Sequence, residues 1–182
     1  MPGFFKRLLL GAPGVPRVKA PILGILDLSG GEGAEIAAAD QGTLGPLFAS
    51  VTTSTDRVPI CNVLLLYCKV ASDGIISGCS LGLREIIRDS AAQVVVLAMP
   101  NNNDAYMAAA KKKRYGRANL VFIFDREGNA FGIFFHRLFT KMKEGTSMPV
   151  AWVQLAPQIP GMEHEEVPSS YCIFEVGQLA FY

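Results

Sequence analysis

Four runs of almost uninterrupted apolar residues lie along the chain and predict buried β-strands. They cover residues 22–28, 60–67, 94–98 and 120–124. None of them alternates between apolar and polar residues, and the lack of alternation is typical of strands that are covered on both faces. We therefore expect these four strands to be neighbours in a mainly parallel sheet.

Segments with helical spacing alternate with these strands. Short helices are predicted over residues 34–39, 81–89, 104–115 and 151–156, with Ser80 as the cap of the second and with Thr146 or Ser147 and Pro149 at the start of the last. A longer helix ends at Gly145 and carries one apolar stripe, formed by Phe131, Phe134, Phe135, Leu138 and Met142. The alternation of strand and helix predicts a three-layer α/β/α fold with right-handed crossovers.

The remaining segments carry weaker patterns. Residues 44–51 show helical spacing, residues 52–55 predict a loop, and residues 171–182 predict a last strand with a bend at Gly177. Residues 1–20 place three prolines and three glycines around a short apolar knot. We interpret them as an N-terminal arm that packs on a single domain formed by residues 21–182.

The chain is nearly neutral and rich in apolar residues. Among its 182 residues, Lys and Arg number 17, Asp and Glu number 16, and 50% are hydrophobic. This composition excludes a disordered or acidic-tail protein, and it provides no field that would attract nucleic acid or an anionic membrane. The longest apolar runs fall far short of the ~20 residues of a membrane helix. We therefore expect a cytoplasmic protein whose partners are neither nucleic acid nor membrane.

Polar residues follow three of the predicted strands, at the edge where open parallel sheets bind ligands. They are Ser29, Gly30 and Gly31 after the first strand, Asp73 after the second, and Asn101, Asn102 and Asn103 after the third. The turn at residues 29–33 could direct backbone N–H groups at an anion, although Glu32 would repel a phosphate. Turn and capping chemistry explains the same residues. A small anionic ligand, bound by an enzyme or a sensor, is thus one interpretation of this edge.

Residues that would indicate a reaction are few. They comprise four dispersed cysteines and two histidines: Cys61, Cys68, Cys79, Cys172, His136 and His164. No two cysteines show the two-residue gap of a zinc knuckle or redox motif, and neither histidine has a second ligand at metal spacing. We assign no catalytic residue, no metal and no cofactor, and we expect reduced, mostly buried thiols.

From residue 120 to 156, the order of strand, short turn, Phe-rich helix, Gly145 and Ala-Trp-Val-Gln-Leu-Ala helix resembles the C-terminal part of CHAT domains, relatives of the caspase and separase peptidases. The pieces from residue 60 onward fall in the same order. In that family, one strand ends in His-Gly and a later strand ends in the nucleophilic Cys. The corresponding strand ends here read Cys68-Lys69-Val70 and Met99-Pro100-Asn101, so the family's base and thiol are both missing.

The resemblance implies a caspase-like fold whose peptidase chemistry is gone. Its expected function is protein recognition or regulation. The expected partner is another protein, and a second copy of the chain is one option. A thiol peptidase would require Cys68 or Cys79 to meet His136 in space, because a cysteine nucleophile needs a positioned base.

One run of basic residues could support binding of an acidic partner. It consists of Lys111, Lys112, Lys113 and Arg114, with Arg117 close behind. Four consecutive residues on a helix spread over all of its sides, and cations near a helix C-terminus complement the helix dipole. Solubility and helix stability therefore explain this run without a ligand.

We predict that replacing Lys111, Lys112 and Lys113 by Gln lowers solubility and leaves nucleic-acid binding undetectable in both proteins at physiological salt. Fluorescence anisotropy with labelled DNA and RNA measures this binding. Salt-sensitive, micromolar binding by the wild type that the triple variant loses would contradict the prediction.

Overall fold

Strands and helices alternate through the parts of the chain that the computed structural model describes, namely residues 15–71, 75–102, 118–126, 128–156 and 168–182. The strands are β1 (Arg17–Val18), β2 (Ile22–Asp27), β3 (Ser50–Ser54), β4 (Val63–Tyr67), β5 (Val94–Pro100), β6 (Asn119–Ile123), β7 (Ser170–Phe174) and β8 (Ala180–Phe181). The helices are α1 (Ala34–Leu44), α2 (Leu83–Ser90), α3 (Ala130–Lys143) and α4 (Met148–Leu155). The helix predicted over residues 104–115 lies outside the described residues.

The central sheet has the strand order β3-β2-β4-β5-β6-β7. Its first five strands are parallel, and β7 pairs with β6 in the antiparallel direction. Strands β2, β4, β5 and β6 correspond to the four apolar runs. The prediction that these runs form neighbouring strands of a mainly parallel sheet is therefore confirmed, and the protein is of the α/β class.

Each face of the sheet has its own apolar core. On one face, Leu65, Val96 and Val121 pack with helices α1, α3 and α4. On the other face, Leu64 and Val95 pack with helix α2. Every side chain of β4 is 0% exposed, because successive residues of a strand point to opposite faces and helices cover both.

The structure corrects the prediction for residues 44–55. Helix α1 ends at Leu44, a 3-10 turn covers Gly45–Leu47, and residues 50–54 form the edge strand β3, which pairs with β2. Leu44, Phe48 and Val51 do pack on one core, which accounts for their helical spacing. Pro46 lies in the 3-10 turn, where the chain changes from helix to strand.

The cap of α2 also differs from the prediction. Gly82, and not Ser80, is the N-cap residue, and the N–H of Gly82 donates to the Glu85 carboxylate at 2.8 Å. Helix α4 begins after Ser147 with Pro149 in its first turn, as the sequence predicted for its start. The N-cap of α2 depends on a local hydrogen bond, which apolar spacing does not reveal.

The two ends of the described chain meet beside the main sheet. Strands β1 and β8 pair in parallel, with Arg17 opposite Ala180. The bend predicted at Gly177 is present, since this residue has a φ of 72° and the chain separates there into β7 and β8. None of the helices in the described ranges combines the length and the apolar character needed to cross a membrane.

Helix α3 should contribute a large part of the stability of the fold. Phe135 and Leu138 are 0% exposed, and the centroids of the Phe135 and Phe131 rings lie 4.5 Å apart. We expect Phe135→Ala and Leu138→Ala each to lower the free energy of unfolding by ~2–5 kcal/mol, since each leaves a cavity. Urea denaturation measures the loss, and His136→Ala, on the exposed side of α3, is the control. Losses below about 1 kcal/mol in both core variants would contradict this packing.

Candidate functional site

The carboxyl edge of the sheet contains a topological switch point. Strand β2 lies between β3 and β4, so the connections that leave β2 and β4 run toward opposite ends of the sheet. Open α/β sheets bind ligands at such a point. A shallow cleft of about 310 Å³ lies here, and its lining includes Ser29, Gly30, Glu32 and Lys69. Ser29 and Gly30, which the sequence analysis singled out after the first strand, are thus part of the lining of this cleft.

Internal hydrogen bonds engage the side chain of Ser29. The carboxylate oxygen Oδ1 of Asp27 accepts from the Ser29 N–H at 2.9 Å and from the Ser29 hydroxyl at 2.5 Å. Ser29 Oγ in turn accepts from the Gly33 N–H at 2.7 Å, immediately before α1. Gly30 and Gly31 adopt φ values of 71° and 101°, which favour glycine. The turn is thus built to start a helix.

An ion pair neutralises the charge of Glu32 across this cleft. The Nζ atom of Lys69, just after β4, lies 2.7 Å from Oε2 of Glu32, and both side chains are exposed. An exposed pair of this kind contributes little stability. The pair places the Lys69 side chain beside the turn formed by residues 29–33, which contains no lysine.

Asn101 joins the ends of three strands. Its Oδ1 accepts from the Val70 N–H at 2.9 Å, and its Nδ2 donates to the Met99 C=O at 2.9 Å. Its backbone N–H donates to the Ile123 C=O at 2.8 Å. Asn101 is buried, so its amide has a structural role at the edge, whereas Asn102 is exposed.

Several predicted site residues belong to segments that the structure does not describe. Asp73, Asn103 and the basic run formed by Lys111, Lys112, Lys113, Arg114 and Arg117 lie outside the described residues. The predicted site residues that the structure describes all lie at the carboxyl edge of the sheet. They occupy two separate positions there, because residues 29–31 follow β2 and Asn101 follows β5. Strand β4 lies between them.

A buried charged cluster, formed by Asp40, Tyr67 and Arg126, lies at the same edge and was not among the predicted site residues. Arg126 donates to both oxygens of Asp40, with NH1–Oδ2 and NH2–Oδ1 distances of 2.8 Å. The Tyr67 hydroxyl donates to Oδ2 of Asp40 at 2.6 Å. The exposed fractions of the Arg126 and Asp40 side chains are 13% and 5%.

This cluster connects one helix with three strands. Asp40 belongs to α1, Tyr67 ends β4, and Arg126 follows β6 and also donates to the Ala98 C=O of β5 at 2.8 Å. The guanidinium carbon lies 3.7 Å from the centroid of the Phe131 ring. Burial raises the pKa of Tyr67, and the negative charge of Asp40 raises it further, so the phenol stays protonated as a donor.

The cluster also borders an open cleft of about 580 Å³ between α1 and the start of α3. The cleft is lined by Glu35, Ile36, Ala39, Asp40, Thr43, Arg126, Gly128, Asn129, Gly132 and Ile133. Most of the hydrogen-bonding capacity of Asp40 and Arg126 is already used within the cluster. We therefore assign the cluster a structural role.

The structure keeps the described thiols and histidine apart. Cys68 is fully buried, and it packs with Cys79 in the core on the α2 face of the sheet. His136 is exposed on α3, which covers the opposite face. Burial raises the pKa of Cys68 to about 12. The condition for a thiol peptidase, a meeting of Cys68 or Cys79 with His136, is therefore not met.

The reactive groups of the described chain are otherwise dispersed. All four cysteines are free thiols, and Cys61 and Cys68 are buried while Cys79 and Cys172 are partly so. Within the described ranges, no three His, Cys, Asp or Glu side chains gather in a way that could hold a metal ion.

No protein-family model matches the chain, and no curated protein sequence matches it significantly.

The buried ion pair should be far more sensitive to substitution than the exposed one. We expect Asp40→Ala to lower the free energy of unfolding by ~3–5 kcal/mol, because it leaves Arg126 buried without its carboxylate. Glu32→Gln, which removes the exposed pair with Lys69, should leave stability almost unchanged. Urea titrations of the two variants and the wild type give the comparison. Equal effects of the two substitutions would contradict the structural role of the cluster.

Proposed function

We propose that the chain is a non-catalytic, caspase-like three-layer α/β domain that acts in protein recognition or regulation. We further propose that a second copy of the chain is its partner and binds along the outer edge of β7. Strand β7 supports this proposal, because it is the last of the described strands of the sheet, carries no charge and directs backbone groups outward.

The state of the polar groups at the carboxyl edge supports a non-catalytic domain. Ser29, Asn101 and the cluster of Asp40, Tyr67 and Arg126 make internal hydrogen bonds that hold strand ends together. A peptidase cysteine needs a histidine base beside it, whereas His136 lies on α3, across the sheet from Cys68. These contacts favour a scaffold over a reaction centre.

The hydrogen-bond register of β7 defines its outer edge. The Phe124 N–H donates to the Ser169 C=O at 2.9 Å, and Ile123 lies opposite Ser170. Because bonding alternates along an antiparallel pair, the N–H and C=O groups of Ser170, Cys172 and Phe174 point away from β6. Among the described strands, only β6 pairs with β7.

The sequence of β7 lacks the usual protection of an edge strand. Natural edges are commonly blunted by Lys, by Pro or by a bulge. Strand β7 reads Ser-Tyr-Cys-Ile-Phe, without charge or proline, and the Tyr171 side chain is 55% exposed. The opposite edge strand, β3, reads Ser-Val-Thr-Thr-Ser and is more polar. The β7 edge therefore suits another uncharged strand.

A second copy satisfies these outward groups symmetrically. If a two-fold axis passes midway between the Cys172 residues of the two copies, then Ser170 of one copy pairs with Phe174 of the other. All three outward-facing residues of each copy then form backbone hydrogen bonds. Two-fold contacts are self-complementary and close after two copies. The result is a sheet that continues through both domains.

The second candidate function is binding of a small anion at the switch point, which the cleft beside Lys69 favours. A thermal-shift screen with nucleotides, phosphates and metal ions tests it. A concentration-dependent rise of the midpoint would favour the ligand, because only binding to the folded state raises stability.

Sedimentation velocity tests the proposed dimer. We expect the wild type to sediment as a dimer at micromolar concentration and Cys172→Pro to sediment as a monomer. Proline removes an outward N–H but leaves the bonds from β7 to β6 in place. Cys172→Ala, which keeps that N–H, is the matched control and should remain dimeric.

Ser170→Pro is a second test at the start of the strand, should Cys172→Pro unfold. Circular dichroism and thermal melts establish that each variant is folded. A wild type that is monomeric throughout the concentration range would refute the second copy as partner. A dimer that persists in both folded proline variants would refute the β7 edge.

A further inference from the structure

The chain folds back on itself directly after β4. The Ser77 N–H donates to the Lys69 C=O at 2.9 Å. The Ala71 N–H donates to the Ile75 C=O at the same distance, and Val70 and Ile76 form an antiparallel bridge. We refer to residues 68–71 and 75–79 as the β4 hairpin.

The hairpin brings two cysteines together. Extending the register of the Val70–Ile76 bridge places Cys68 opposite Gly78, and Cys79 is the next residue. Gly78 has no side chain and a φ of 76°, and the Cys79 N–H donates to the Ile76 C=O at 3.1 Å, which turns the chain at this point. Both cysteines pack in the same core on the α2 face.

The two thiols differ in access. Cys68 is 0% exposed, whereas Cys79 is partly exposed, and its Sγ accepts from the Leu81 N–H at 3.4 Å. Burial and, to a smaller extent, the charge of a nearby Cys79 thiolate raise the pKa of Cys68 to about 12. Oxidation of cysteine follows thiolate character and exposure. A small oxidant therefore meets Cys79 first.

We propose that Cys79 is a peroxide-sensitive thiol and that Cys68 resolves it, so that a hydroperoxide converts the pair into an intramolecular disulfide. In the first step, the Cys79 sulfur attacks the O–O bond. The bond breaks, the sulfur is oxidised to a sulfenic acid, and the other oxygen leaves as water or an alcohol with the thiol proton.

In the second step, the Cys68 sulfur attacks the sulfenic sulfur. The S–S bond forms, the S–O bond breaks, and the hydroxyl leaves as water with the proton of Cys68. Overall, two thiols are oxidised and one hydroperoxide is reduced. A dithiol reductant reverses the change by thiol–disulfide exchange.

The disulfide would constrain the rim of the switch-point cleft. Lys69 follows Cys68 directly, and its ammonium group pairs with Glu32 across that cleft. A covalent link between Cys68 and Cys79 would close the base of the β4 hairpin and hold Lys69 in place. The inference does not depend on the dimer, because neither cysteine belongs to β7.

Peptide mapping under non-reducing conditions tests the proposal. The folded full-length protein is treated with dilute hydrogen peroxide at neutral pH, blocked with an alkylating agent, digested and analysed by mass spectrometry. We expect a linked peptide that contains Cys68 and Cys79 and disappears on treatment with dithiothreitol. Cys172→Ser, which removes the other partly exposed thiol, should form the same link.

Two variants separate the roles of the thiols. Cys79→Ser should leave Cys68 reduced, whereas Cys68→Ser should leave a Cys79 sulfenic acid that dimedone traps. The wild-type experiment decides the proposal even if either variant fails to fold. It is overturned if both thiols stay reduced, if Cys79 proceeds to the sulfinic acid while Cys68 remains a thiol, or if Cys79 links to a second chain.

Discussion

Burial of the parallel strands on both faces is the constraint on which the structure depends. All five side chains of β4 are fully buried, and β5 and β6 are buried almost as completely. Strands in that position cannot hold a reactive polar group within their length without a large desolvation cost. The polar chemistry of the described fold is therefore confined to the strand ends and the two outer strands.

At the strand ends, most of the polar groups hold the fold together. Arg126 and Asp40 connect β5, β6 and α1 through one buried ion pair, and Asn101 ties the end of β4 to β5 and β6. The thiol of Cys68, directly after β4, is buried on the α2 face of the sheet. On the outer strand β7, the backbone groups of Ser170, Cys172 and Phe174 point away from β6, which is why we propose recognition over catalysis.

The sequence predicted the centre of the fold better than its margins. The apolar runs that became β2, β4, β5 and β6 carry a strong burial signal, and Gly177 and Gly145 indicated where elements end. Strand β3 was missed because an edge strand of Ser and Thr has no apolar run of its own. Asp40 and Arg126 are 86 residues apart, so no local pattern joins them. The sequence placed Ser29 at the carboxyl edge of the sheet. A local pattern could not show that its hydroxyl donates to Asp27 and accepts from the Gly33 N–H.

The fold buries the Cys68 thiol directly after β4, and the rate of alkylation of Cys68 tests this burial most directly. Iodoacetamide is added across a urea series, and modification of each cysteine is followed by mass spectrometry. We expect Cys68 to react only as the protein unfolds, in parallel with the loss of circular dichroism, and Cys79 to react earlier. Alkylation of Cys68 in the native protein at the rate of an ordinary exposed thiol would contradict it.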